Sequence, residues 1–150
     1  MANFEKTYGE FLVSTDKSKL EIDTIHHFLT KESYWSQNIP LAIVRKSIEN
    51  SLCFGVYHQS RQIGFARVIT DFASFAYLAD VFIINEFRRK GLSKILMKTI
   101  ISHPDLQGLR RWMLGTRDAQ GLYAKYGFTP MANPERFMEK RNPEVYKKMG

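Results

Sequence analysis

Cysteine occurs once in the 150 residues, at Cys53, so no disulfide can form within the chain. Sparse cysteine suits a reducing compartment, and a cytoplasmic location is the expectation. Cys53 stands in the apolar run Leu52-Cys53-Phe54, where it reads as a buried thiol or as a nucleophile. No apolar run approaches the ~18 residues of a membrane span. Met1 to Glu10 is polar and mixed in charge, so neither a secretory signal nor a membrane partner is expected. The histidines, His26, His27, His58 and His103, form no H-E-x-x-H or Cys/His spacing, and no metal is expected. Glycine is missing where the familiar phosphate loops need it, since neither G-x-x-x-x-G-K-S/T nor G-x-G-x-x-G is present. Acidic residues are short as well, 15 against 22 Lys and Arg, for a net charge of +7. That excess favours anionic partners such as nucleic acid, acidic lipid or a phosphorylated cofactor.

What is present centres on residues 77–97. Tyr77 to Ile84 is aromatic and β-branched, free of Gly and Pro, and of strand length. Asn85 to Ser93 is a polar, basic turn holding Gly91, after which Leu92, Ile95, Leu96 and Ile100 recur at helical spacing. The first N–H groups of a helix lack partners, and its dipole places about half a positive charge there. Gly91 lets a phosphate approach the backbone closely, and Arg88, Arg89, Lys90 and Lys94 add formal charge at the same point. A pyrophosphate fits this arrangement. So does a basic helix start that holds no ligand. No aromatic ladder interleaves with the basic residues, so nucleic acid is not expected as the partner.

The flanking chain has the length of one domain, 1–150. Tyr8 to Ser14 alternates as a first strand. A helix is expected from about Lys19 to Thr30, capped by Asp16 or Ser18, with Leu20, Ile22, Ile25 and Leu29 on its apolar face. Pro40 opens a second helix through Leu41, Val44 and Ile48. Ser51 to His58 and Gln62 to Thr70 read as a hairpin turning at Gln59-Ser60-Arg61, and a turn at Asp71 to Ser74 leads into the strand at Tyr77. After the Leu92 to Ser102 helix come a strand at Arg110 to Thr116 and a short helix at Asp118 to Tyr126 ended by Gly127. Final strands are expected at Phe128 to Met131 and Arg136 to Lys140. The order β-α-α-β-β-β-α-β-α-β-β is that of an α+β protein with a mixed sheet.

Two motifs and this order resemble the GNAT superfamily of acetyltransferases. Arg88-Arg89-Lys90-Gly91-Leu92-Ser93 is similar to the Q/R-x-x-G-x-G/A loop that follows the fourth strand there, with Ser93 in place of Gly or Ala. Leu122-Tyr123-Ala124-Lys125-Tyr126-Gly127-Phe128 is similar to a segment L-Y-x-K-x-G-F near the end of many members. The resemblance implies direct transfer of an acetyl group from acetyl-CoA to a primary amine of a small molecule or peptide. It assigns the pantetheine to the backbone of Val81, Phe82 and Ile83, the pyrophosphate to the N–H groups of Arg89 to Lys94, and the proton donor for the leaving thiolate to Tyr123. Thr116 stands where many members carry an Asn that helps to hold the cofactor. A catalytically silent, CoA-binding regulatory protein is the alternative, and a homodimer is compatible with either.

A neutral amine is needed for attack, so a base or a water path must remove a proton. Asp80, an acid inside an otherwise apolar strand, is the candidate base; paired with an arginine such as Arg67 it would instead be structural. Asp71 is a lesser candidate because it lies in a turn. Tyr34 and Trp35 could flank the amine by cation–π contact or simply pack between helices, with Phe72, Phe75 and Tyr77 closing the other side.

Overall fold

The computed structural model describes residues 2–149. Strands β1 (Glu5–Tyr8) and β2 (Phe11–Ser14) are followed by helices α1 (Ile22–His27) and α2 (Leu41–Glu49). Then come β3 (Leu52–His58), β4 (Arg61–Thr70), β5 (Phe75–Ile83), α3 (Leu92–Ser102), β6 (Arg111–Leu114), α4 (Gln120–Ala124) and α5 (Val145–Met149). The strands lie in chain order in one sheet, antiparallel from β1 to β5, with β6 parallel to β5. This is the mixed-sheet α+β architecture expected from the sequence.

Three local expectations need correction. The first strand is a hairpin, because Gly9 takes φ +59° and turns the chain between Tyr8 and Phe11. The first helix is shorter than expected. Asp16 caps only a single 3₁₀ turn at Lys17–Lys19, and from Phe28 to Glu32 the helix widens into a π-turn, closed by Ser33 N–H on the Phe28 carbonyl at 2.9 Å. The strands at 128–131 and 136–140 do not form. Pro130 has no N–H to donate, and Pro134 begins a 3₁₀ turn through Arg136, so the outer edge of β6 carries no strand among the described residues. The basic residues near the end, Lys140, Arg141, Lys147 and Lys148, are exposed, and α5 there packs its Tyr146 against the α1–α2 side.

The β3–β4 hairpin turns through Gln59 and Ser60, both at positive φ, as the right-handed twist of paired strands favours. The sheet is covered on both faces. Val13, Phe54, Val56, Ala66, Val68 and Leu78 pack on one face beneath Leu96, Met97 and Ile100 of α3. Cys53, Phe65 and Phe82 face the other way and are covered by Ile25, Phe28, Val44 and Ile48. Cys53 is therefore the buried thiol of its two readings, and burial pushes its pKa up to about 12, which leaves no thiolate for chemistry.

One irregularity shapes the site. Between the pairs Phe65↔Phe82 and Arg67↔Ala79, the single residue Ala66 faces both Asp80 and Val81. Asp80 carries the resulting β-bulge at φ +55°, a conformation that Asp tolerates better than most residues. Strict alternation would aim residue 80 at the α3 face with Ala76 and Leu78. The bulge turns it to the face of Arg67 instead.

Candidate functional site

Strand β6 ends at Leu114, opposite Leu78, so beyond that pair β5 has no neighbour on this edge. The two strands part there and leave a groove along Val81, Phe82 and Ile83. Phe82 is pinned by stacking on Phe28, with ring centroids 4.0 Å apart and planes 9° from parallel. At the end of the strand, Arg88 donates from Nε to the Ile83 carbonyl at 3.0 Å, which sets the entry to the loop.

In that loop Gly91 is the N-cap of α3 at φ +76°, and a Cβ placed there would meet nothing within 4 Å. The glycine is therefore required by backbone conformation and not by crowding. No side chain caps the helix. The N–H groups of Leu92, Ser93 and Lys94 have no acceptor inside it, while Ile95 N–H begins the ladder on the Gly91 carbonyl at 3.3 Å. The groove of about 590 Å³ is lined by Val81, Phe82, Ile83, Arg88, Arg89, Gly91, Leu92, Ser93 and Lys94, with Tyr34, Trp35 and Tyr123 at its far end. Of the residues expected there, Lys90 and Thr116 lie outside the lining. Thr116 instead accepts the Ala119 N–H on its hydroxyl at 3.1 Å, at the start of α4.

A second pocket adjoins the first and includes Arg67, Tyr77, Asp80, Gly115 and Thr116. Tyr34, Trp35, Arg117 and Tyr123 line both. Tyr123 projects from α4, buried, and burial together with the nearby Tyr34 hydroxyl pushes its pKa up to about 12. Its phenol is accordingly a neutral donor throughout the physiological range. Tyr126, four residues after Leu122 in the second motif, donates to the Lys94 carbonyl at 3.1 Å and so ties the end of α4 to the first turn of α3.

Asp80 lies in the second pocket with both carboxylate oxygens engaged. Arg67 Nε donates to Oδ2 at 2.8 Å, and Trp35 Nε1 donates to Oδ1 at 2.8 Å. Arg67 is held in turn by its Nη1 donating to Ser51 Oγ at 3.1 Å. Asp71 is remote from this cluster. It accepts the Ser74 hydroxyl and the N–H groups of Ser74, Ala73 and Phe75, which hold its carboxyl far below the usual range and organise the β4–β5 turn. Tyr34 and Trp35 sit on the segment between the π-turn and α2, packed edge to face at 5.0 Å. Their packing crosses the split in the sheet. The Tyr34 hydroxyl accepts the Arg117 N–H at 2.9 Å, and the Arg117 guanidinium lies 4.0 Å from the Tyr34 ring centre. Arg117 and the Phe28–Phe82 stack escaped the sequence reading. Their partners are 83 and 54 positions away in the chain, beyond any local pattern.

No metal-binding cluster of His, Cys, Asp or Glu occurs among the described residues, and no helix there is long and apolar enough to cross a membrane. Residues 22–128 match the family model described as Acetyltransferase (GNAT) family. A candidate acetyltransferase of Gibberella zeae is 32% identical, with 79% of this chain and 78% of that protein covered. The crystal structure of a candidate GNAT acetyltransferase from Xanthomonas campestris pv. campestris superposes with a TM-score of 0.90 at 51% identity, covering 93% of this chain and 99% of that one. A GNAT acetyltransferase of Elizabethkingia anophelis, determined with acetyl-CoA bound, shares the fold alone, with a TM-score of 0.62 at 13% identity over 88% of each chain. On the matched region and these relatives, the chain belongs to the GNAT family of acetyltransferases.

Proposed function

We propose that this acetyltransferase moves the acetyl group of acetyl-CoA directly to a primary amine of a small molecule or peptide. The observation that carries the reading is the position of Tyr123, which lines both the groove beside Gly91 and the pocket beside Arg67. A thioester reaching along Val81 to Ile83 from a pyrophosphate at Leu92 to Lys94 would meet an amine from the second pocket at that phenol.

The chemistry balances without a metal. The ammonium first loses a proton to water or a base, because only the neutral amine carries the attacking electron pair. The amine nitrogen then bonds to the acetyl carbon, the carbon–sulfur bond breaks, and the amide nitrogen sheds its second proton as the sulfur gains one. Tyr123 at about 12 is a weaker acid than a thiol of about 8.5. It therefore acts mainly by hydrogen-bonding the negative charge that develops on sulfur, not by yielding its proton outright.

The test is thiol release from acetyl-CoA across polyamines, aminoglycosides, amino acids and peptides, with Tyr123→Phe beside the wild type. We expect amine-dependent release, with kcat lowered by about 100-fold in the variant and the acetyl-CoA affinity retained. Because the phenol stays protonated to about 12, no alkaline loss below pH 10 is expected from Tyr123. Binding of acetyl-CoA with no amine-dependent release would favour the silent, regulatory alternative. Failure to bind it would sink the assignment of the Gly91 loop.

A further inference from the structure

Asp80 has two features that a free base does not need. It sits at positive φ on a β-bulge, and both of its oxygens are spent on donors from different elements. We infer that Asp80 is a positioning residue acting through Trp35, and that together they hold the Tyr34–Trp35 segment as the partition between the thioester groove and the amine pocket. The inference rests on the transferase reading for its kinetic consequences, while the tether itself is a property of the fold.

The backbone of the segment is closed on itself, with Ser36 N–H on Ser33 Oγ at 3.0 Å and Asn38 N–H on the Thr30 carbonyl at 3.2 Å, but these bonds do not reach the sheet. Tyr34 and Trp35 are 41% and 40% exposed, and Trp35 packs beside Phe28 with ring centroids 6.3 Å apart, so apolar contact holds them in part and leaves their orientation to hydrogen bonds. Across the sheet split, the hydrogen bonds holding them are the Trp35 indole on Asp80 and the Tyr34 hydroxyl under the Arg117 N–H. One bond reaches β5 and the other reaches the loop after β6, so the two aromatic residues span the point where the strands part. The bulge is what makes the first bond available, since it brings Asp80 to the α1–α2 face, and Arg67 keeps the carboxylate oriented there. The charged groups lining the pocket with Asp80 are Arg67, Arg117 and Asp118. Asp118 is taken by Arg117 at 3.7 Å, leaving Arg67 as the cation bonded to Asp80.

A positioning role and a base role diverge in a double-mutant cycle. Trp35→Phe keeps a ring but loses the indole N–H; Asp80→Ala loses the acceptor. If Asp80 works through Trp35, each variant lowers kcat/KM for the amine by about tenfold, chiefly through KM, and the double variant falls no more than about threefold further. The acid limb of the pH profile then survives in both variants. If Asp80 is an independent base, Trp35→Phe keeps nearly wild-type rates, Asp80→Ala loses kcat and the acid limb, and the inference is overturned. Should Asp80→Ala not fold, Trp35→Phe decides alone: a lowered kcat/KM carried chiefly by KM supports the tether, and unchanged kinetics overturn it. A readout free of turnover is fluorescence in a Trp112→Phe background, where Trp35 is the sole indole. Asp80→Asn still offers an oxygen to the indole only if it gives up Arg67, so acrylamide quenching of Trp35 should rise at least about twofold. Quenching indistinguishable from the parent would refute the tether. A wild type with no turnover on any amine would refute the transferase reading while leaving this fluorescence result standing.

Discussion

On one side of β5 the site is made of backbone, and on the other it is made of side chains. The groove beside Gly91 needs an open strand edge, the free N–H groups of Leu92 to Lys94, and a left-handed glycine. Its cations Arg89 and Lys94 are exposed and replaceable in kind. The pocket beside Arg67 depends on particular partners: Arg67 on Asp80, Asp80 on Trp35, and Tyr34 on Arg117. A ligand part that is always the same can be held by main chain, which any sequence supplies. A part that differs between enzymes must be read by side chains. Substitutions on the two sides should accordingly fail in different ways.

The largest effect is expected on the side-chain half. Arg67→Met removes the partner of a carboxylate whose side chain is only 8% exposed, and the Arg67 side chain itself is 17% exposed. Breaking a buried pair from one end costs roughly 3 kcal/mol because the other charge is left uncompensated. Urea unfolding should therefore show a loss of about that size, and Asp80→Asn added to Arg67→Met should restore most of it, since Asn carries no charge and tolerates φ +55°. A single variant as stable as the wild type would mean that the pair contributes nothing, and the contrast between the halves would lose its main support.

The same contrast explains what could be read from the chain alone. The loop at Arg88 to Ser93 was legible because strand, glycine and helix are contiguous and each has a local signature. Tyr123 was legible within its own motif. The central sheet, from Leu52 to Ile83, followed from alternation and turn chemistry. Asp80 was legible as an anomaly but not in its role, because alternation gives the face of a residue only until a bulge resets it. The Arg67 partner was guessed correctly; the Trp35 partner, 45 positions away, left no local trace. The failed strands after Phe128 show the opposite error. Phe128 to Met131 and Arg136 to Lys140 have strand-like composition, but Pro130 interrupts the first, the 3₁₀ turn begun by Pro134 runs into the second, and exposed Phe137 rests under the Arg111 guanidinium at 4.7 Å instead of in a ladder.

On the backbone half, Gly91→Ala should be the most damaging single change. Space is not the obstacle, as nothing lies within 4 Å of the added methyl. The cost is the left-handed conformation, about 1 kcal/mol or slightly more for a residue with a Cβ. Thermal unfolding should move down by a few degrees. If the loop binds pyrophosphate through its N–H groups, the acetyl-CoA dissociation constant should rise by about tenfold or more as the helix start shifts, with the amine KM unchanged. A variant that loses stability but keeps its acetyl-CoA affinity would separate the glycine's conformational role from any role in binding.

The smallest effects belong to the cations around that loop, and salt distinguishes them from the backbone. Arg89 and Lys94 are both exposed, so each would act on a bound phosphate across water and ions. An exposed charge contributes less than about 1 kcal/mol, so Arg89→Ala or Lys94→Ala should weaken acetyl-CoA by roughly threefold. Screening shortens to ~3 Å at 1 M salt from ~10 Å at 0.1 M. The deficit of each variant should therefore shrink as salt rises, whereas the Gly91→Ala deficit should persist, because conformational strain is not screened. Titrating acetyl-CoA into the three variants at low and high salt measures both trends at once. Equal salt sensitivity in all three would mean that the helix start acts only as another charge, and that the backbone half is no different in kind from its surroundings.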